Sequence, residues 1–284
     1  MTPSAETSFL AGTKVVSLAL NAPGPVAAAR FTQLGAQVTK VEPPEGDGTS
    51  KFAPEWYAEL CREQTVLRLD LKNPAEKAHF DTLLTAADLL LASFRPSALR
   101  RLGLDWGTLH ERFPRLCFVG IIGHPAPHEE RSGHDLTYQA DFGMLRPPQM
   151  PPTLFIDMAG AERAVSMALA LLMKRDQTGE AGSTWVSLSE CAHDLAAPLR
   201  AGLTVPGGLL GGGYPLYGFY QTSDDWIAVA ALEPRFAQRL LSELKLEKAD
   251  RGELEGIFLK RSAAEWESWA AERDLPLVAV TEQR

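Results

Sequence analysis

The sequence predicts an α/β protein built on a parallel, doubly wound sheet, with a second, smaller α/β domain behind it. Three observations carry this. Short runs rich in branched apolar residues alternate with helical patterns through the first 200 residues. Those runs read as apolar on both faces, as strands covered by helices on either side do. A glycine-rich break at Gly202–Gly218 then interrupts the pattern, with six glycines between positions 207 and 218. The expected domains are therefore 1–200 and 201–284, with the boundary near residue 201.

The strands of the first half are expected at Lys14–Leu20, Gln37–Val41, Val66–Leu71, Leu89–Ala92 and Leu116–Ile122, each bounded by turn formers. Between them, Pro25–Leu34 opens with proline in its first turn and stops at Gly35, as helices do. Pro74–Ala87, Ala98–Leu102 and Trp106–Arg112 supply further helices, and Leu136–Gly143 another. Arg146–Pro152 is too proline-rich for regular structure and reads as a surface loop. The strongest helix is Met158–Arg175, with apolar residues at 158, 161, 165, 168, 169 and 172 and cations in its last turn. Thr184–Leu188 reads as a strand and Ser189–Leu199 as a helix. Beyond the break come strand Trp226–Leu232, helices Pro234–Leu244, Glu253–Leu259 and Ser262–Glu272, and strand Leu277–Val280.

Composition narrows the function classes. Across 284 residues, 28 Lys+Arg against 36 Asp+Glu give a net charge of −8, with no basic stripe to hold nucleic acid. The best apolar run, Ala164–Met173, is too short to span a bilayer and ends in Lys174-Arg175. Met1–Ala11 lacks the basic and apolar regions of a secretory leader. The three cysteines, Cys61, Cys117 and Cys191, have neither CxxC nor zinc spacing and read as reduced thiols of a cytoplasmic protein. No metal site is expected. The turn after the first strand, Asn21-Ala-Pro-Gly-Pro25, is not a dinucleotide fingerprint, and no Walker loop, HExxH or G-x-S-x-G occurs.

Several residues are candidates for chemistry. Asp157 stands between Leu154-Phe-Ile156 and the long helix, so it is expected to be the helix N-cap; a carboxylate there could also serve as nucleophile or base. His134, in Ser132-Gly-His-Asp135, precedes another helix and has Asp135 as either its orienting partner or a second cap. Glu233 ends an apolar strand, where it is a turn residue or a ligand contact. Lys72 and the cluster Arg95, Arg100 and Arg101 follow strands, where a solvated face and a phosphate site are both open readings. The glycine run with Tyr214, Tyr217 and Tyr220 reads as an interdomain hinge or a flexible active-site loop.

A set of short motifs in order makes the chain resemble the class III CoA-transferase family, which includes L-carnitine CoA-transferase, the bile-acid-inducible proteins and the 2-methylacyl-CoA racemases. The landmarks are Gly24-Pro25, Leu34-Gly35-Ala36, Lys40-Val-Glu-Pro-Pro44, Leu69-Asp-Leu-Lys72, Phe94-Arg-Pro96 and Arg101-Leu-Gly103. Gly133-His-Asp135, Gln139-Ala140, Asp157, Gln177-Thr-Gly179 and Leu232-Glu-Pro-Arg-Phe236 follow in register. The resemblance implies a Rossmann-like large domain, a small domain and an interlocked homodimer. It implies a coenzyme A thioester and a small carboxylic acid as substrates, with no permanently bound cofactor. Transfer would run through an acyl–aspartyl anhydride and an aspartyl-CoA thioester on Asp157. In the racemases the residues matching His134 and Asp157 exchange the α-proton, and Glu233 matches an active-site glutamate. Lys72, Phe94, Arg95 and Arg101 match positions near the nucleotide end of CoA.

His134 and Leu232-Glu-Pro-Arg-Phe236 look racemase-like, whereas Met158-Ala-Gly-Ala161 looks like the transferases, and the expectation is CoA transfer with racemisation as the alternative. Two departures accompany the resemblance. Cys61-Arg-Glu-Gln-Thr65 replaces a basic stretch of the family, and the family's returning C-terminal segment is expected to be absent. A non-catalytic chain, or one subunit of a hetero-oligomer, is the third expectation.

Overall fold

The computed structural model of the chain describes residues 8–281, so most of the stretch read above for a leader lies outside the described residues. The chain divides into two compact units, Met1–Leu195 and Ala196–Arg284. In the first, β1 (Lys14–Ser17), β2 (Gln37–Glu42), β3 (Thr65–Arg68), β4 (Leu89–Ala92), β5 (Cys117–Ile122) and β6 (Ser183–Ser187) form one sheet. Their order is β3-β2-β1-β4-β5-β6 and every pairing is parallel. This is the doubly wound order, in which the winding reverses between β1 and β4.

Alternate residues of the central strands feed two separate cores. Val15, Leu89, Leu91, Cys117, Val119 and Ile121 pack with α1 (Pro23–Gln33) and α8 (Phe155–Thr178) on one face. Val16, Leu90, Ala92 and Phe118 pack on the other with Phe80 and Leu84 of α4 (Pro74–Ala86), Leu99 of α5 (Pro96–Arg101) and Leu109 of α6 (Trp106–Arg112). Because side chains alternate across a strand, a run such as Leu89-Leu-Leu91 must be apolar throughout when both faces are covered. All four residues of β4 and all six of β5 are buried.

The Lys40-Val-Glu-Pro-Pro44 stretch acquires a structural meaning. Lys40 and Asp47 are fully buried and Glu42 is 1% exposed. The Lys40 ammonium donates to Glu42 at 2.7 Å and to Asp47 at 2.6 Å, while the Tyr57 hydroxyl donates to Glu42 at 2.5 Å. This buried ion cluster fastens the turn after β2. Tyr57 lies in α3 (Pro54–Leu60), which with α2 (Thr49–Phe52) fills a region where the sequence predicted no element.

The first unit continues through α7 (Asp135–Asp141) and ends in α9 (Leu188–Leu195). The expected single helix Ser189–Leu199 is broken there, since α10 (Ala197–Arg200) starts the second unit. Pro198 accounts for the break: it has no N–H to continue α9, and it sits instead in the first turn of α10, where none is needed.

In the second unit β7 (Tyr217–Gln221), β8 (Trp226–Ala230) and β9 (Leu277–Ala279) pair antiparallel. Their inner faces pack against α11 (Pro234–Leu244), α12 (Arg251–Phe258) and α13 (Ala263–Ala271) through Tyr220, Ile227, Val229, Leu240, Phe258 and Trp266. Strand β7 was missed because it begins inside the glycine-rich break. The break itself is a closed backbone turn. A Cβ on Gly211 would fall on the carbonyl of Val205, and Gly212 has φ of +93°. The glycines let strands of backbone touch, and hydrogen bonds such as Leu210 N–H to Leu203 O at 2.9 Å hold the turn.

Candidate active site

The carboxyl ends of β1 and β4 open two clefts, each of about 260 Å³, on the first unit. Doubly wound sheets bind ligands at this reversal point because the loops diverge to opposite faces there. Ser93 ties the two strand ends together: its hydroxyl accepts from Leu20 N–H at 2.8 Å and donates to the Leu20 carbonyl at 3.2 Å. Helix α1 starts hard against the same turn, where a Cβ on Gly24 would fall on that of Ala19. The extended chain leaving β4 serves both clefts. Ser93 and Arg95 line the first, while Phe94 between them lines the second.

The first cleft gathers Arg95, His134 and Asp157 with Asn21, Glu129, Arg131 and Tyr138. The expectation that Asp157 caps its helix is corrected. Helix α8 begins at Phe155, so Asp157 sits within the first turn and not before it. The cap comes from Asp135, whose Oδ2 accepts from Ile156 N–H at 2.7 Å and Asp157 N–H at 3.0 Å. Its Oδ1 accepts from the Gln139 amide at 2.5 Å. Asp135 is 4% exposed and fully engaged. The Asp157 carboxylate, relieved of capping, has no hydrogen-bond or ion-pair partner among the described residues. Burial, and then the neighbouring Asp135 charge, push its pKa up from the ordinary 3.8 to about 7.

Tyr138 closes the floor of this cleft, with its phenol pushed up to about 12 by burial and then by Asp157. It packs edge-on at 5.3 Å to His124, whose pKa burial lowers from the ordinary value. Gly123 and Gly133 leave room for the Tyr138 ring, since a Cβ on either would fall on it. His134 is exposed at the N-cap of α7, where its backbone N–H donates to the Thr137 hydroxyl at 2.9 Å. No side-chain bond orients the imidazole from Asp135, whose oxygens point at α8 and Gln139.

The second cleft is largely apolar by contrast. Leu18, Val41, Leu69, Leu71, Phe94 and Leu102 line it with Pro43-Pro44 of the clamped turn, and its charged residues are Lys72 against Glu42, Glu45 and Asp70. Arg101 lies exposed in the last turn of α5 and lines neither cleft. Glu233 belongs to the second unit, at the N-cap of α11.

Of the residues singled out from sequence, Asp157 and His134 line one cleft and Lys72 and Phe94 the other, while Arg95, grouped with the latter pair by the resemblance, lines the first. Sequence reasoning missed Glu129, Arg131 and Tyr138. The charged run Glu129-Glu-Arg131 directly before Ser-Gly-His134 was the available signal. Among the described residues no three His, Cys, Asp or Glu cluster in a way that could hold a metal, and no helix is long and apolar enough to cross a membrane.

Comparison with known proteins gives the family. The profile of CoA-transferase family III matches residues 10–283. Cinnamoyl-CoA:phenyllactate CoA-transferase of Clostridium sporogenes is 28% identical over 95% of this chain and 77% of its own. Alpha-methylacyl-CoA racemase of Mus musculus is 30% identical over 90% of this chain and 74% of its own. The crystal structure of Rv3272 from Mycobacterium tuberculosis superposes with a TM-score of 0.83 at 25% identity, covering 96% of this chain and 85% of that one. The match spans both units, and on it the chain belongs to CoA-transferase family III.

Proposed function

We propose that the protein moves coenzyme A between an acyl-CoA and a small carboxylic acid, with Asp157 as the nucleophile. One observation carries this reading. Asp157 presents an unpartnered, half-buried carboxylate to the cleft at the sheet's reversal point, while Asp135 does the capping that would otherwise occupy it. A raised pKa also makes the ionised form a stronger nucleophile.

The Asp157 carboxylate attacks the thioester carbonyl, releasing CoA thiolate and forming an acyl–aspartyl anhydride. The thiolate attacks the aspartyl carbonyl, releasing the donor acid with the bridging oxygen and leaving an aspartyl-CoA thioester. The acceptor carboxylate then attacks that thioester to form a second anhydride. The thiolate takes the new acyl group from it and leaves Asp157 a carboxylate again. The largely apolar second cleft would take the nucleotide end of CoA, with Lys72 in its lining for the phosphates, while Arg95 of the first cleft and exposed Arg101 stand outside it. No permanently bound cofactor is part of the reading, and two copies of the chain make the working assembly.

Incubation with acyl-CoA and hydroxylamine tests it: the expected product is a hydroxamate on Asp157. No adduct, together with no CoA exchange into any acid, would contradict it.

A second reading has its own observation. His134 lines the same cleft as Asp157, and a carboxyl near pH 7 is well placed to give and take protons. In that case the pair exchanges the α-proton of the acyl group. Acyl-CoA would then gain deuterium at its α-carbon in heavy water without any CoA migrating.

A further inference from the structure

We propose that Glu129 is a specificity-determining residue that accepts a hydrogen bond from a hydroxyl on the acyl group, so that the preferred substrates are hydroxyacyl thioesters. The inference rests on the transferase reading of the first cleft and adds the class of acyl group. Glu129 lines the cleft that Asp157 and His134 line. One oxygen of its carboxylate, Oε2, is shut off from solvent and has no hydrogen-bond partner. Buried polar atoms are nearly always satisfied; with Oε2 closed off, the carboxylate can accept from a ligand in the cleft only through Oε1, which no described residue engages.

Its neighbours do not supply a donor. Glu130 is committed to the start of α5, accepting from Ser97 N–H and Oγ at 3.0 Å each. Arg131 reaches Asp141 at 3.4 Å. Arg95 and Arg131 line the same cleft, yet neither forms an ion pair with Glu129 among the described residues. The carboxylate therefore faces the cleft with one side already stripped of water, and a donor offered from the cleft competes with less solvent than usual. The two guanidiniums decide the kind of donor. They favour an anionic or neutral group and repel an ammonium, which leaves a hydroxyl.

Hydrogen bonds to charged groups are strong enough to give about tenfold discrimination or more. The test measures binding of butyryl-CoA, 2-hydroxybutyryl-CoA, 3-hydroxybutyryl-CoA and 3-aminobutyryl-CoA to the full chain and to Glu129→Met and Glu129→Gln. The same samples are mapped for acyl or CoA adducts on Asp157. The expected result is about tenfold tighter binding of one hydroxylated thioester than of butyryl-CoA. That ratio falls to about one in Glu129→Met and is intermediate in Glu129→Gln, whose amide oxygen still accepts. The folding midpoint of Glu129→Met should not fall, because an orphan carboxylate supports no contact that a thioether lacks. An unchanged ratio in Glu129→Met, no hydroxyl preference in the wild type, or a preference for the amine overturns the assignment. Adducts on Asp157 without hydroxyl preference sink the role of Glu129 alone, whereas binding of none of the four thioesters overturns both readings.

Discussion

The two clefts share a strand pair and a loop but are built for different work. The first has Asp157 without a partner among the described residues, His134 exposed, and Arg95 and Arg131 in its lining. The second is walled mainly by leucines, prolines, Val41 and Phe94, with Lys72, Glu42, Glu45 and Asp70 as its charged residues. The contrast is sharpest in two carboxylates. Asp135 is engaged on both oxygens and holds α8 in place, while Asp157, two residues into the same helix, holds nothing. A group that stabilises the fold has its bonds made; a group free to react has been released from that duty. On the function proposed above, the difference separates a cleft for reaction from a cleft for holding.

The largest expected effect lies in the first cleft. Asp157→Asn should lower turnover by at least about 10³-fold, the scale of losing a nucleophile, while acyl-CoA binding at the second cleft survives. Loss of binding and turnover together would blur the two clefts into one. Next comes the clamp behind the second cleft. Lys40→Met leaves Glu42 and Asp47 buried without their cation and should cost about 3–5 kcal/mol in denaturant unfolding. A neutral result would mean that the cluster does not hold the turn.

The pH dependence of stability sharpens the account of Asp157. Its folded pKa of about 7 lies above the ordinary 3.8. Between those values the folded chain keeps a proton that the unfolded chain has lost, so this group's contribution falls as pH rises through about 4 to 7 and is flat above. Asp157→Asn should therefore lose less stability between pH 5 and pH 8 than the wild type does, measured by urea unfolding. Equal losses would mean that the carboxyl is not perturbed. The smallest effect is expected from exposed Lys72: Lys72→Ala should raise the KM for acyl-CoA about two- to fivefold and leave kcat alone.

Much of this was legible in the sequence where one physical cause dominates. Leu89-Leu-Leu-Ala92 and Cys117–Ile122 could be read as central strands because a doubly covered sheet forces apolar residues onto both faces. Trp106–Arg112 and Pro234–Leu244 were read with their observed ends, and in the structure Asp105 caps one and Pro234 opens the other. The failures arose where the cause is distant in sequence. Asp157 looked like a cap because local spacing does not reveal that Asp135, 22 residues earlier, already fills that place. The Gly202–Gly218 break looked loose because composition does not distinguish a flexible chain from backbone packed against backbone. Tyr138 and Glu129 carried no motif, and only the packing around the cleft brings them beside Asp157.

Whether Asp157 becomes covalently linked to substrate can be read from an oxygen label. In the transfer proposed here, the bridging oxygen of the second anhydride comes from the acceptor acid and stays on Asp157. Turnover with an ¹⁸O-labelled acceptor acid, followed by peptide mapping, should place one heavy oxygen in the Asp157 carboxyl. Formation of the new acyl-CoA without label in that peptide would contradict the account.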